Sequence, residues 1–196
     1  MFRTEVKTCA LPVAQWLAEY CQPEQFCPLC QDCPDYGRVW SCPPGVPSAQ
    51  EWLASYHTAH LIGVKLIYDP AFRARATTPE QTELLRQATY GKLKQKVLDA
   101  LLCLEQQCPG SCVVAAGRCE WCTHCARQDG RPCIHPDRMR YSFSAFGFDL
   151  GRISEELLGI PLVWASEGLP EYNMAIYAFL TNQDFDPEQW LRSQMR

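Results

Sequence analysis

Two short runs carry most of the chemistry open to this sequence. Residues 27–44 read CPLCQDCPDYGRVWSCPP, which sets Cys27, Cys30, Cys33 and Cys42 at C-x2-C-x2-C-x8-C. Residues 119–136 read CEWCTHCARQDGRPCIHP, which sets Cys119, Cys122, Cys125 and Cys133 at C-x2-C-x2-C-x7-C. Thiolates are soft donors that suit zinc, Cu(I) and iron–sulfur clusters. Structural zinc sites usually take two CxxC-type pairs separated by a long spacer. Three cysteines at successive intervals of three instead suit three corners of a cuboidal cluster, with a more distant cysteine, often followed by proline, at the fourth. Cys42-Pro43 fits that last position, whereas Cys133 follows Pro132 and precedes Ile134-His135-Pro136, a looser fit. Four thiolates per group are enough for two 4Fe–4S clusters. Each loop can hold its own cluster, or the fourth cysteine of one can ligate the other; the short spacers favour local pairing. Zinc and a disulfide knot are the alternative readings.

Something must position those loops. The 196-residue chain is 47% hydrophobic, so a single domain over residues 1–196 can bury a core without disulfide staples. The stretch MFRTEVKTCALPVAQW has no apolar run of the secretory kind, and nowhere do about eighteen apolar residues run together. The expectation is a cytoplasmic protein with no membrane association, whose 13 cysteines stay reduced and are used for metal. A formal net charge of −4 gives no case for nucleic acid. Locally, Arg118, Arg127, Arg131, Arg138 and Arg140 outnumber Glu120, Asp129 and Asp137 around the second loop. Such an excess can balance an anionic centre or receive an anionic partner; a solvated loop is the plainer reading.

The pattern predicts strands at 2–8, 60–68, 111–116, 162–165 and 174–180, and helices at 13–20, 49–57, 79–106 and 150–158, with a last helical turn from Pro187. Ser48-x-x-Glu51 and Thr78-Pro79-Glu80-Gln81 are helix-start signatures, because each side chain can satisfy an orphan amide. Gly91 is a weak spot inside the long helix. Strands separated by helices, with an antiparallel pair at the end, point to an α+β fold: a single mixed sheet flanked by helices, carrying two cysteine-rich loops in its connections.

The run Cys30-x-x-Cys33-x-x-Tyr36-Gly37-x-x-Trp40-Ser41-Cys42-Pro43-Pro44 resembles the signature of a prokaryotic family of predicted metal-binding proteins, whose members carry a domain of unknown function. The resemblance continues through Gly117-x-Cys119-x-x-Cys122-x-x-Cys125, Gly130-x-Pro132-Cys133-x-His135-Pro136, and Arg140, Ser142, Ala145, Gly147, Asp149 and Leu150. It covers residues from about 25 to 180, and the joint pattern is highly specific. It implies metal binding, iron–sulfur in kind and in a mainly anaerobic setting, and supplies no reaction. Members often carry Glu-Ala before the final glycine where this chain has Ser144-Ala145-Phe146-Gly147, so any chemistry of that glutamate is absent here. Cys27 is the cysteine least firmly tied to the shared pattern.

Around the ligands, His124, His135, Tyr36, Trp40, Arg118 and Arg140 are the candidates for contact with a bound group. Either histidine could replace a thiolate at one corner, but a hydrogen bond to sulfur or an ordinary loop position is the simpler role. Tyr36, Trp40, Tyr141, Phe143, Phe146 and Phe148 could stack bases; shielding a cluster from water is favoured. Cys103, Cys108, Cys112, Cys9 and Cys21 read as small apolar residues. Three functional readings follow. The first is a two-cluster electron-transfer module with a redox partner protein, serving an anaerobic enzyme. The second is an enzyme that uses an iron left open by a three-thiolate site to bind a small anionic or thiol substrate. The third is a zinc-stabilised interaction module. Four cysteines per loop favour the first.

Overall fold

The structure is a computed structural model and describes residues 2–163, 168–184 and 189–190. Strand β1 (Phe2–Pro12) leads into helix α1 (Val13–Tyr20), and a short helix α2 (Pro23–Phe26) opens the first cysteine loop. That loop ends at α3 (Ala49–Leu53), after which β2 (Thr58–Tyr68) crosses the molecule. The chain returns through α4 (Pro70–Arg73), α5 (Pro79–Arg86) and α6 (Lys92–Gln107) to the three-residue strand β3 (Cys112–Val114). The second cysteine loop follows, then α7 (Phe143–Phe146), α8 (Leu150–Arg152) and β4 (Tyr172–Thr181).

The sheet order is β1-β2-β4-β3 and every ladder is antiparallel. The α+β class and the single sheet stand, but the sheet is not mixed. Helices α5 and α6 do carry the chain from β2 to a strand running the same way, as a parallel crossover would. Strand β4 then inserts between β2 and β3, so no two parallel strands are neighbours. β2 and β4 are covered on both faces, which explains their nearly continuous apolar sequence. Val97, Leu101 and Leu104 of α6 pack on Ile62, Val64, Tyr177 and Phe179 on one face. On the other, Trp16 and Leu17 of α1 pack with Leu61, Ala178, Phe143 and Phe148.

The local signals hold with altered lengths. Ser48 forms a full capping box with Glu51, its Oγ accepting from the Glu51 amide at 3.1 Å, yet α3 stops at Leu53. The long helix is interrupted by a π turn at Gln87–Gly91, where the expected weak point lies. The helix after Asp149 likewise passes from α8 into a π turn at Ile153–Leu157. Leu162 and Val163 make no strand, and Ala165 lies outside the described residues, as does most of the tail from Pro187.

β1 and β2 pair from Phe2↔Tyr68 to Pro12↔Thr58, and the Val13 amide donates to the His57 carbonyl at 2.8 Å. The whole segment 13–57, cysteine loop included, is therefore an excursion that leaves and re-enters at one end of the sheet. The second loop leaves from edge strand β3 and is tied back where Ala115 bridges Ser142. A further bridge, Cys21↔Phe148, brings the start of the first loop to the same place. Residues 142–149 are thus a shared seat for both loops.

Candidate metal centre

In the first loop, Cys27–Asp32 form a 3-10 turn and Cys33 caps it, its amide donating to the Cys30 carbonyl at 3.1 Å. Three residues per turn set Cys27 and Cys30 on one side of this turn, each step rising about 6 Å. Cys30, Cys33 and Cys42 line one cavity of about 170 Å³, together with Asp35, Tyr36, Arg118, Ser142 and Ser144. Cys27 lies a step further out. It lines an adjoining cavity with Cys21, and Pro43 and Ala145 line both. Its Sγ passes so near Gly147 that a Cβ there would come within 3.0 Å of it and 2.5 Å of Pro23 Cα. Gly147, at φ +80°, is the residue that lets the seat and the loop meet.

Burial pushes the Cys42 thiol up to about 11; a Ser41 hydrogen bond lowers it, and Asp35, Cys33 and Cys30 raise it further. Burial also raises Cys30, followed by the influence of Cys27 and Cys33. These thiols are therefore protonated at neutral pH until a cation displaces the proton.

The second loop is more self-contained. Burial raises the Cys119 thiol, the Trp121 amide pulls it down, and Cys133, Cys122 and Cys125 all raise it, so the four thiols form one electrostatic group. Ala126–Asp129 make a 3-10 turn that ends at Gly130, φ +65°. Trp121 Nε1 donates to the Arg138 carbonyl at 2.9 Å, and the Arg138 guanidinium covers the Trp121 ring at 3.7 Å.

The two loops are laced together. Arg127 Nη1 donates to the carbonyls of Val39 at 2.9 Å and Cys42 at 2.7 Å, while Nη2 reaches Pro44 O. Trp40 Nε1 donates to Arg131 O at 3.0 Å, and Arg38 holds Gln128 at 2.8 Å. At the centre, the Cys119 amide donates to Ser41 Oγ at 2.8 Å, and that oxygen lies 3.9 Å from Cys42 Sγ. Ser41 is completely buried. No local signal tells what Ser41 and Arg127 bond to, because their partners lie 78 to 88 residues away in sequence.

Among the described residues, no three His, Cys, Asp or Glu side chains stand close enough together to share one metal ion. The first cavity is about ten times the room a single water needs, so its thiols suit a polynuclear group in size and donor type.

Several candidates fall elsewhere. Phe143 and Phe148 are core residues, with Phe148 stacked on Trp16 at 4.1 Å, whereas Phe146, also in the core, lines the cavity beside Cys27. Tyr36 lines the first cavity, and Trp40 braces the loops. The arginines are not a free anion-receiving patch: Arg118, Arg131, Arg138 and Arg140 pair with Asp35, Asp129, Asp99 and Glu105. Arg140 anchors the end of the second loop to α6 through Glu105, at 2.7 Å. His124 is exposed and bonded to Asp129 at 3.0 Å. His135 uses its carbonyl to accept from Arg138 and Met139. All 13 cysteines are free thiols; Cys108 and Cys112 are buried as small apolar residues, whereas Cys103 is exposed. No helix among the described residues is long and apolar enough to cross a membrane.

An α+β scaffold that presents two sets of thiols on interlocked turns offers donors of the kind that soft metals take. The chain belongs to the DUF2284 family of predicted metal-binding proteins, which it matches over residues 4–180. No curated protein and no solved structure is significantly similar to it.

Proposed function

We propose that each cysteine loop holds a four-iron cluster and that the protein is a redox module passing electrons to a partner protein, in service of an anaerobic enzyme. When bound, such clusters supply reversible one-electron transfer. The spacing of both motifs and the size of the first cavity support this reading.

Ser41 carries it. Its Oγ accepts from the amide of Cys119, the first cysteine of one group, and lies beside the Sγ of Cys42, the last cysteine of the other. One hydrogen bond and one peptide link therefore separate a ligand of each site. With its acceptor side occupied by the Cys119 amide, the Ser41 hydroxyl proton is free to point at the Cys42 sulfur. A hydrogen bond to sulfur favours the electron-rich state and raises the potential. Arg127 adds a positive charge at this junction, where it donates to three carbonyls and lies over the Trp40 ring at 5.0 Å. Its field favours negative charge on both loops.

The test is an anaerobic reductive titration of the full chain, followed by EPR. About two electrons per chain should be taken up, and Ser41→Ala should lower the potential of one centre. A protein with no reducible centre overturns the proposal.

A further inference from the structure

The two loops share a cysteine spacing but not the same surroundings. Cys30, Cys33 and Cys42 line one cavity, whereas Cys27 lines the adjoining one with Cys21. On the three-thiol cavity stands a carboxylate that the cysteine pattern does not reveal. Asp35 Oδ1 accepts from Arg118 Nη1 at 2.9 Å, which fixes the side chain from the opposite loop. Its other oxygen, Oδ2, faces Cys33 Sγ at 4.0 Å. The Asp35 side chain is about three-quarters buried, whereas that of Arg118 is half exposed.

We infer that Asp35, not Cys27, supplies the fourth ligand of the first site, and that a small anion or thiolate from solution exchanges with it. The inference rests on the iron–sulfur reading of this site. A carboxylate is a harder donor than thiolate and holds iron of this kind less firmly, so the position it occupies is the labile one. Arg118 serves both states. It orients Asp35 while the carboxylate is bound and receives its charge when an incoming donor takes the place. An anionic donor arrives beside the same guanidinium, next to Tyr36 and Ser144. The first site would therefore be where a small molecule binds, and the second where electrons are supplied.

The experiment compares wild type, Cys27→Ser, Asp35→Asn and Asp35→Cys, all full-length and prepared without oxygen. It reads iron and sulfide per chain, the rate at which EDTA removes iron, and the EPR change on adding 2-mercaptoethanol. Wild type and Cys27→Ser should both hold about eight irons. About one iron per chain should leave quickly, faster still in Asp35→Asn and at least roughly tenfold slower in Asp35→Cys. Asp35→Cys should also abolish the EPR response to the thiol. A fall to about four irons in Cys27→Ser, or unchanged chelation in both Asp35 variants, overturns this inference alone. A wild type without sulfide overturns the cluster reading and this inference with it.

Discussion

The first and second cysteine loops are nearly identical in spacing and differ in what holds them. The second is held by the turn ending at Gly130, the Trp121–Arg138 contact and ion pairs of Glu120, Arg138 and Arg140 with α6. The first relies on neighbours: the 142–149 seat on one side and Arg127 on the other. Its cysteines line two adjoining cavities, although the thiols act on one another in both loops. Spacing fixes which thiols can meet; packing decides which do.

Removing what joins the loops should have the largest effect. Arg127→Met strips charge-assisted hydrogen bonds from three carbonyls of the first loop. It should cost about 3 kcal/mol in a denaturant titration and reduce metal retention in both loops. Arg38→Ala, which removes only the exposed contact to Gln128, should cost under about 1 kcal/mol.

A substitution in the seat should separate the loops' behaviour. Gly147→Ala places a Cβ 2.5 Å from Pro23 Cα at a φ of +80°. The strain should cost about 2 kcal/mol, with metal lost from the first loop and retained in the second. Equal loss from both would show that the loops are one cooperative unit.

A smaller effect should come from beneath the loops. Burial pushes the Cys112 thiol up to about 11 from an ordinary 9.0, with Glu105 raising it further and Arg140, Tyr56 and Trp52 lowering it. The folded state therefore keeps this proton where the unfolded chain releases it. The stabilisation is fully present below pH 9.0 and is lost as pH rises towards about 11. Unfolding free energy should fall by on the order of 2 kcal/mol across that window. Cys112→Ala should flatten the slope relative to wild type.

Much of this was legible in the sequence, and the exceptions have physical causes. Apolar runs fixed β2 and β4 because both strands are covered on two faces, and caps at Ser48, Thr78 and Asp149 marked true helix starts. The antiparallel sheet was hidden because a crossover helix says nothing about a later strand slipping between its two ends. Phe143 and Phe148 misled because they are near the cysteines in sequence, while their rings turn towards Trp16. The eight loop cysteines declared themselves by interval. Ser41 and Asp35 did not, and Arg127 stood out only by its charge, since each is joined to a partner on the other loop.

The most direct test of the central claim is iron, zinc and acid-labile sulfide per chain, on protein purified without oxygen. Two interlocked cluster sites predict about eight irons with matching sulfide. About two zincs and no sulfide would contradict it, and would make the loops a zinc-held scaffold.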